Sequence, residues 1–212
     1  MSAPRVFLAS RNAKKLLEMR RILVELVPGV EVLGLDDVTP YVEPAETEPT
    51  FAGNALIKAH AGVLATGLPS VADDSGLCVD ALNGMPGVLS ARWSGTAKDD
   101  AANNALLLEQ LADVPEARRG AHFTCAVALA YPAGAGGVAE HVVHGEMHGR
   151  VIGEQRGSGG FGYDVLFVAD DQRPGDGRTS AELSVREKDA ISHRGKAVRE
   201  IAPVVADVLS GL

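Results

Sequence analysis

The first residues of the chain change from a strand pattern to a helix pattern, and this change constrains the fold more than any other feature. Arg5–Ala9 is a short apolar run, which is typical of a buried strand. Ser10-Arg11-Asn12 then offers helix-capping side chains, and apolar residues recur at helical spacing, which predicts a helix from Asn12 to Leu26. A buried strand that leads directly into an amphipathic helix is typical of an α/β fold.

The rest of the chain continues to mix the two patterns. The predicted strands are Val30–Leu35, Ser70–Ala72, Leu77–Leu82, Ala121–Tyr131, Val138–Met147 and Asp164–Val168. The predicted helices run from Thr50 to Gly67, from Thr96 to Val114, and from the capping box Ser184–Glu187 to Leu209 with a break near Gly195. Because a long hairpin lies among strand–helix units, we expect an α/β fold with a mixed sheet, and a single domain over residues 1–212.

Charge and composition narrow the possible functions. The 212 residues carry a formal net charge of −8, whereas a general nucleic-acid binder is usually basic, so we expect no nucleic-acid polymer as a partner. Cys78 and Cys125 are too few and too distant for a disulfide framework, which favours free thiols in a reducing compartment. Since no run approaches membrane-spanning length and the N-terminus lacks a long apolar segment, we expect a cytoplasmic protein without a membrane partner.

Two adjacent aspartates, Asp73 and Asp74, follow the apolar run Ser70–Ala72. At the carboxyl end of a strand, two carboxylates would point into the crevice in which α/β proteins bind ligands. They could hold Mg²⁺ there, or one of them could position a water molecule. An Asx turn is the alternative, and the pair taken alone slightly favours it.

The segment Ser10–Lys15 lies where the first predicted strand meets the first predicted helix. The N–H groups of a helix N-terminus, together with Ser10, Asn12 and two lysines, would make an anion site. A capped amphipathic helix with solvated lysines fits the same residues equally well.

Gly157–Asp164 contains a G-x-G-x-x-G pattern, but it precedes an apolar run and opens no helix, which argues against dinucleotide binding. A flexible loop that presents Phe161 and Tyr163 beside Asp164 suits a nucleobase, because an aromatic face can stack on the base and a carboxylate can accept from a base N–H. The alternative is that the aromatic rings pack in the core, and this is a serious competitor for Tyr163.

Lys188, His193 and Arg194 place three hydrogen-bond donors within two helical turns. A solvated basic helix face would use the same residues. The glycine that follows them, Gly195, costs helix stability, and such interruptions often serve a site.

Five short motifs occur together in an order that spans nearly the whole chain; each is weak alone, and the ordered set is specific. They are Ser10-x-Asn12-x-x-Lys15, Asp73–Leu77, Pro86-Gly87 with Ser90-Ala91-Arg92, Gly159–Asp164 and Ser192–Gly195. In this set the chain resembles the inosine/xanthosine triphosphate pyrophosphatase family, which hydrolyses noncanonical purine nucleoside triphosphates. The resemblance implies an elongated two-lobed α/β fold with a long mixed sheet, an active-site cleft between the lobes, a homodimer, and Mg²⁺-dependent cleavage to the monophosphate and pyrophosphate.

The resemblance also implies roles for individual residues. Asp74 corresponds to a general base and metal-linked carboxylate, and Glu46 to a second metal-linked carboxylate. The implied substrate-binding residues are Ser10, Arg11, Asn12, Ala13, Lys14, Lys15, Lys58, Asp73, Ser75, Phe161, Gly162, Tyr163, Asp164, Lys188, His193 and Arg194. The chain departs from the family pattern at Gly53, where many relatives carry Glu in a Phe-x-Glu-Asn motif, so any role of that carboxylate is absent here.

Three other functions stay open at this point. A pyrophosphatase of the septum-inhibition (Maf-like) class would act on modified pyrimidine or other nucleotides. A nucleotide sensor would bind its ligand without cleaving it. A phosphatase with an aspartate nucleophile would release inorganic phosphate through a phospho-aspartyl intermediate.

Overall fold

A computed structural model describes residues 3–173 and 175–211 of the chain, and these form a six-stranded sheet with helices. The strands are β1 (Arg5–Leu8), β2 (Glu31–Leu33), β3 (Ser70–Val79), β4 (Gly120–Ala133), β5 (Gly137–Val151) and β6 (Phe167–Ala169). The α-helices are α1 (Ala13–Leu26), α2 (Phe51–Thr66), α3 (Asp100–Gln110), α4 (Val185–Ile191) and α5 (His193–Ser210).

The strands lie in the order β2-β1-β3-β4-β5-β6. β1 pairs parallel with both β2 and β3, with Phe7 opposite Leu33 and Leu8 opposite Val71, whereas β5 and β6 pair antiparallel. The short turn Gly134–Gly136 joins β4 to β5 and is too short for a parallel crossover, so these strands form the predicted hairpin. The predicted α/β fold with a mixed sheet is therefore confirmed.

The chain divides into two compact units. The first comprises the residues up to Asp74, Cys125–Gly145, and those from Arg194 onward; the second comprises Ser75–Thr124 and Glu146–His193. The chain passes from one unit to the other within β3, β4 and β5 and after the first residue of α5, so neither unit is a continuous segment. The single domain and the cleft between lobes stay predictions.

In the first unit, helices cover both faces of the sheet. Residues such as Val6 and Val127 pack with α1 and α5, whereas their neighbours Phe7 and Ala128 pack with α2. This follows from the alternation of side chains along a strand. The same alternation places consecutive residues of β3 against different helices. Asp73 and Asp74 therefore have different neighbours.

The second unit has a core of its own. Leu107 of α3 packs there with Phe123 of β4, Met147 of β5 and Phe167 of β6. Within the part of the chain that the structure describes, no helix is long and apolar enough to cross a membrane.

The prediction of two short strands around a turn at Asp73-Asp74 is wrong, because β3 runs unbroken from Ser70 to Val79. Gly76 allows the strand to continue at a crowded point, since a side chain there would collide with the carbonyl oxygen of Gly87 and with Ser90. The Ser90 hydroxyl also accepts the N–H of Leu77 at 2.9 Å. Tertiary contacts therefore overrule the local turn signals, and the two aspartates lie inside a strand rather than at its end.

Other boundaries also differ from the prediction, and α3, for example, spans Asp100–Gln110 rather than Thr96 to Val114. The strand predicted from Asp164 begins only at Phe167, because Gly162–Leu166 forms a 3-10 turn that the Asp164 side chain closes. The helix break lies at Ser192, whose backbone is extended, and Gly195 lies inside α5. The break at Ser192 makes His193 and Arg194 the first residues of α5.

Candidate active site

The two adjacent aspartates of β3 have different surroundings because they point to opposite faces of the strand. Asp73 contacts Lys15 of α1 and Arg194 of α5, whereas Asp74 contacts Asn54 and Lys58 of α2. The alternation of the strand thus assigns one carboxylate to each helical layer.

Asp73 lies at the centre of a buried ion-pair network. Its Oδ2 is 3.1 Å from Lys15 Nζ and accepts from Arg194 Nε at 3.2 Å and Nη2 at 3.1 Å. Arg194, only 2% exposed, also donates from Nη1 to Glu18. Burial alone would raise the pKa of Asp73, but the Lys15 and Arg194 charges outweigh it and hold that pKa far below its usual range. Asp73 is therefore a permanent anion that anchors two cations.

Asp74 is held by a buried asparagine. Asn54 Nδ2 donates to Asp74 Oδ2 at 3.1 Å, and Asn54 Oδ1 accepts the N–H of Glu48 at 2.9 Å, which fixes the orientation of the amide. The other oxygen, Asp74 Oδ1, lies 3.8 Å from Lys58 Nζ. Burial raises the pKa of Asp74, and the Lys58 charge offsets this only in part. A carboxylate with a raised pKa is the better proton acceptor, as a general base requires.

Lys58 contacts both Asp74 and Glu46, the two carboxylates that the family resemblance implies are linked to a metal. Its Nζ lies 2.7 Å from Glu46 Oε1 and donates to the backbone oxygen of Asp73 at 2.6 Å. Burial would lower the pKa of Lys58, but Asp73, Asp74 and Glu46 together raise it above its ordinary value. Lys58 is therefore a charged ammonium group directly between the carboxylates.

The segment Ser10–Lys15 forms the helix cap that the sequence predicts. Asn12 Oδ1 accepts the N–H groups of Lys14 at 3.0 Å and Lys15 at 3.2 Å, and so occupies two amides at the start of α1. Arg11 pairs with Glu43 at 2.9 Å, and the N–H of Ser10 donates to the Leu8 carbonyl. Ala13 and Lys14 are exposed. Lys15 instead reaches Asp73, as Lys58 of α2 reaches Glu46.

The second unit gathers the aromatic loop and a buried lysine. Asp164 Oδ2 accepts the N–H of Phe161 at 2.8 Å and binds Lys188 Nζ at 2.6 Å. The same Nζ lies 5.1 Å from the centre of the Phe161 ring, which is a cation–π distance. A side chain at Gly160, whose φ is +69°, would collide with the Asp164 carboxylate. Phe161 as a residue is half-buried.

Two of the predicted binding residues are part of the core of the second unit. Tyr163 is 3% exposed and donates from its hydroxyl to the Ser90 carbonyl at 2.9 Å, as the packing alternative proposes. His193 is also buried, and its ring stacks on Phe123 with centroids 4.9 Å apart. Ser75, the first residue of this unit, is half-buried in β3. These contacts place the Tyr163 ring in the core rather than on the exposed face of the loop.

Comparison with known proteins decides the family. Residues 6–204 match the sequence model of the Ham1 family. The chain belongs to the Ham1 family. A protein of Nocardia farcinica named dITP/XTP pyrophosphatase is 60% identical over 97% of each chain, and one of Frankia alni with the same name is 57% identical over 97% of this chain and 99% of its own.

Solved structures of Ham1-family proteins show the same fold. A nucleoside-triphosphatase (dITP/XTP pyrophosphatase) of Mycobacterium abscessus is 54% identical, covers 94% of this chain and 99% of its own, and has a TM-score of 0.73. The Ham1 protein of Staphylococcus aureus is 33% identical, covers 96% of this chain and 99% of its own, and has a TM-score of 0.81.

At Gly53, where the chain departs from the Ham1-family pattern, the structure leaves no room for a side chain. A side chain built at Gly53 would lie 2.6 Å from Glu48 Cβ and 2.7 Å from Glu48 Cγ. The Glu48 side chain therefore fills the space that a glutamate at position 53 would need. A Gly53→Glu change would require Glu48 to move.

Sequence reasoning missed four residues that orient the predicted ones. Asn54 holds Asp74, Glu18 holds Arg194, and Asp100 and Asn104 of α3 hold the backbone of Gly162. Asn54 stands in the Phe-x-Gly-Asn segment, where the resemblance draws attention to Gly53 alone. The other three carry no local signal, because polar residues on a helix are most often solvated.

Proposed function

We propose that this Ham1-family protein hydrolyses noncanonical purine nucleoside triphosphates (ITP, dITP and XTP) to the monophosphate and pyrophosphate, and so keeps these bases out of DNA and RNA. The arrangement of Asp74, Lys58 and Glu46 carries the proposal, since it joins a carboxylate of raised pKa to a partly buried ammonium group. The names of the Nocardia and Frankia relatives support the choice of substrate class.

Asp74 is the proposed general base. With Oδ2 held by Asn54, Oδ1 is the oxygen that would accept a proton from a water attacking the α-phosphorus, and pyrophosphate would leave. Lys15 and Lys58 would neutralise charge on the triphosphate. Phosphoryl-type transfer depends mainly on positioning and charge neutralisation, which these residues would supply together with Mg²⁺.

The residues around Asp74 fit a magnesium ion as a partial ligand set. Asp74 and Glu46 offer carboxylate oxygens, and burial that raises the pKa of Asp74 marks a place where a cation would be stabilising. Among residues 3–173 and 175–211, no group of three or more His, Cys, Asp or Glu could hold a metal, so phosphate oxygens and water would complete the shell. When bound, Mg²⁺ would neutralise charge on the triphosphate and on the departing pyrophosphate.

A chelator test checks this cofactor proposal. We expect EDTA to abolish pyrophosphate release and added Mg²⁺ to restore it. The Glu46→Gln variant should need about tenfold more Mg²⁺ for half-maximal turnover, as when a group that supports a metal site is lost. Full turnover by the wild type in EDTA would contradict the proposal.

Base recognition is proposed to come from the aromatic loop and the start of α5. Phe161 would stack on the purine, with Asp164 and Lys188 holding it in place. His193 and Arg194, which contact Phe123 and Asp73 in the structure, would donate to the 6-oxo group of inosine or xanthosine once the nucleotide is bound. Adenine carries an amino group at that position, which is itself a hydrogen-bond donor. It would face the side-chain donors of the site, and a buried donor would be left without an acceptor. Guanine shares the 6-oxo group, and its rejection must come from elsewhere in the site.

The Phe161→Ala variant tests the stacking role. Loss of a base–aromatic stack should raise KM for ITP by about 5- to 100-fold while kcat and the unfolding midpoint change little, because Phe161 is half-buried. The matched control is Tyr163→Phe, which removes the hydrogen bond to the Ser90 carbonyl and should lower stability but leave KM unchanged. An unchanged KM with reduced stability in Phe161→Ala would assign Phe161 to the core.

A substrate panel separates the proposed function from its rivals. The wild type should be incubated with ITP, dITP, XTP, GTP, ATP, dUTP and modified UTP in the presence of Mg²⁺, and the products identified. The proposal predicts the monophosphate and pyrophosphate from the first three. A preference for modified UTP would favour the septum-inhibition class. Binding without any product would favour a sensor, and release of inorganic phosphate would favour an aspartyl phosphatase. The homodimer and the cytoplasmic location stay predictions.

A further inference from the structure

The backbone of Gly162, next to the proposed stacking residue Phe161, is held on both sides by α3. Asp100 Oδ2 accepts the Gly162 N–H at 2.8 Å, and Asn104 Nδ2 donates to the Gly162 carbonyl at 2.9 Å. The two residues stand four positions apart and so share one face of the helix. Asn104 Nδ2 also donates to the backbone oxygen of Asp100 at 2.8 Å, which fixes the direction of the amide.

The neighbouring residue is held from the other direction. The Phe161 N–H donates to Asp164 Oδ2, and Lys188 binds the same carboxylate oxygen and lies over the Phe161 ring. The peptide segment that carries the ring is thus fixed at Phe161 by Asp164 and at Gly162 by α3. All of these residues belong to the second compact unit.

The loop that carries Phe161 is rich in glycine and therefore needs support from its neighbours. Gly157, Gly160 and Gly162 all have positive φ, which glycine adopts readily, so the free segment would sample many conformations. Ordering a loop on ligand binding costs free energy, and a loop that is already ordered binds more tightly. A support that holds Gly162 by both its backbone groups would remove much of that cost before the base arrives.

We propose that Asp100 and Asn104 are positioning residues that hold the Phe161 loop in its base-stacking conformation and thereby set the affinity for the purine. The inference rests on the proposed function of Phe161. Because α3 holds the loop, and Asp74, Lys58 and Glu46 belong to the first compact unit, losing the support should act on KM and leave kcat nearly unchanged.

The nearly isosteric substitutions Asn104→Asp and Asp100→Asn should have different effects on KM for ITP. Asn104→Asp replaces the donor that faces the Gly162 carbonyl with a carboxylate oxygen, so it should raise KM for ITP by about 10- to 100-fold. Asp100→Asn keeps an oxygen that can accept the Gly162 N–H, so its KM should stay within about twofold of the wild type. Asp100→Ala removes that acceptor and should raise KM by about tenfold, which provides a second test if Asn104→Asp does not fold.

The measurement is kcat and KM for ITP, together with calorimetric titration of inosine monophosphate and the unfolding midpoint of each variant. A raised KM with unchanged kcat in Asn104→Asp and Asp100→Ala, and recovery in Asp100→Asn, would support the inference. Wild-type KM and wild-type affinity for the monophosphate in both disruptive variants would overturn it, as would equal losses in Asp100→Asn and Asp100→Ala. If the wild type binds the monophosphate but releases no pyrophosphate from ITP, the proposed function fails while the titration still tests the support.

Discussion

The Asp74→Asn variant should keep the fold and lose turnover by about 10²- to 10⁴-fold, the usual contribution of a general base. The amide cannot accept the proton of the attacking water, although it fills the same space beside Asn54 and Lys58. Burial raises the pKa of Asp74, so folding disfavours its ionised form at neutral pH. Replacing that carboxylate with a neutral amide should therefore leave the unfolding midpoint unchanged or slightly higher.

The measurement is steady-state pyrophosphate release from ITP with saturating Mg²⁺, with thermal unfolding followed in parallel. Near-wild-type turnover by Asp74→Asn would exclude Asp74 as the base. A large fall in the unfolding midpoint would show that the Asp74 carboxylate stabilises the fold, which is the role that we propose for Asp73.

The Asp73→Asn variant should have the opposite effect, a loss of stability. Asp73 is the anion between Lys15 and Arg194, and removing one partner of a buried ion pair leaves uncompensated charge. Such changes cost about 3–5 kcal/mol, which for a chain of this length lowers the unfolding midpoint by roughly 6–20 °C. The lowered pKa of Asp73 means that this stabilisation is fully present above the ordinary carboxyl pKa and is lost only as the pH falls below it.

The control is the same substitution in a partly exposed ion pair, Asp176→Asn, which removes the bidentate contact with Arg178 at 2.7 and 2.8 Å. Solvent screens that pair, so the midpoint should move far less than in Asp73→Asn. Equal shifts in the two variants would contradict the anchoring role of Asp73.

Features that depend on local contacts were predictable from the sequence. Asn12, Thr50 and Ser184 cap helices with bonds to amides two or three residues away, as predicted. Asp99 caps α3, three residues after the predicted start of that helix at Thr96. Short-range signals of this kind need no knowledge of the rest of the fold.

Features that depend on distant partners were not predictable. Asp73-Asp74-Ser75-Gly76 has the composition of a turn, yet it continues a strand because Lys15 and Arg194 stabilise the buried Asp73 carboxylate from the distant helices α1 and α5. Asp100 and Asn104 likewise gain a role only when the loop at Gly162, about sixty residues later, reaches α3. Ion pairs and side chain–backbone bonds of long range override the local propensities that a single sequence displays.

Turnover of ITP in water labelled with ¹⁸O tests the central claim most directly, because it reports which phosphorus the water attacks. If Asp74 directs water to the α-phosphorus, mass spectrometry should find the label in inosine monophosphate and none in the pyrophosphate. Label in pyrophosphate, or in inorganic phosphate released together with a nucleoside diphosphate, would place the attack elsewhere and contradict the proposed mechanism.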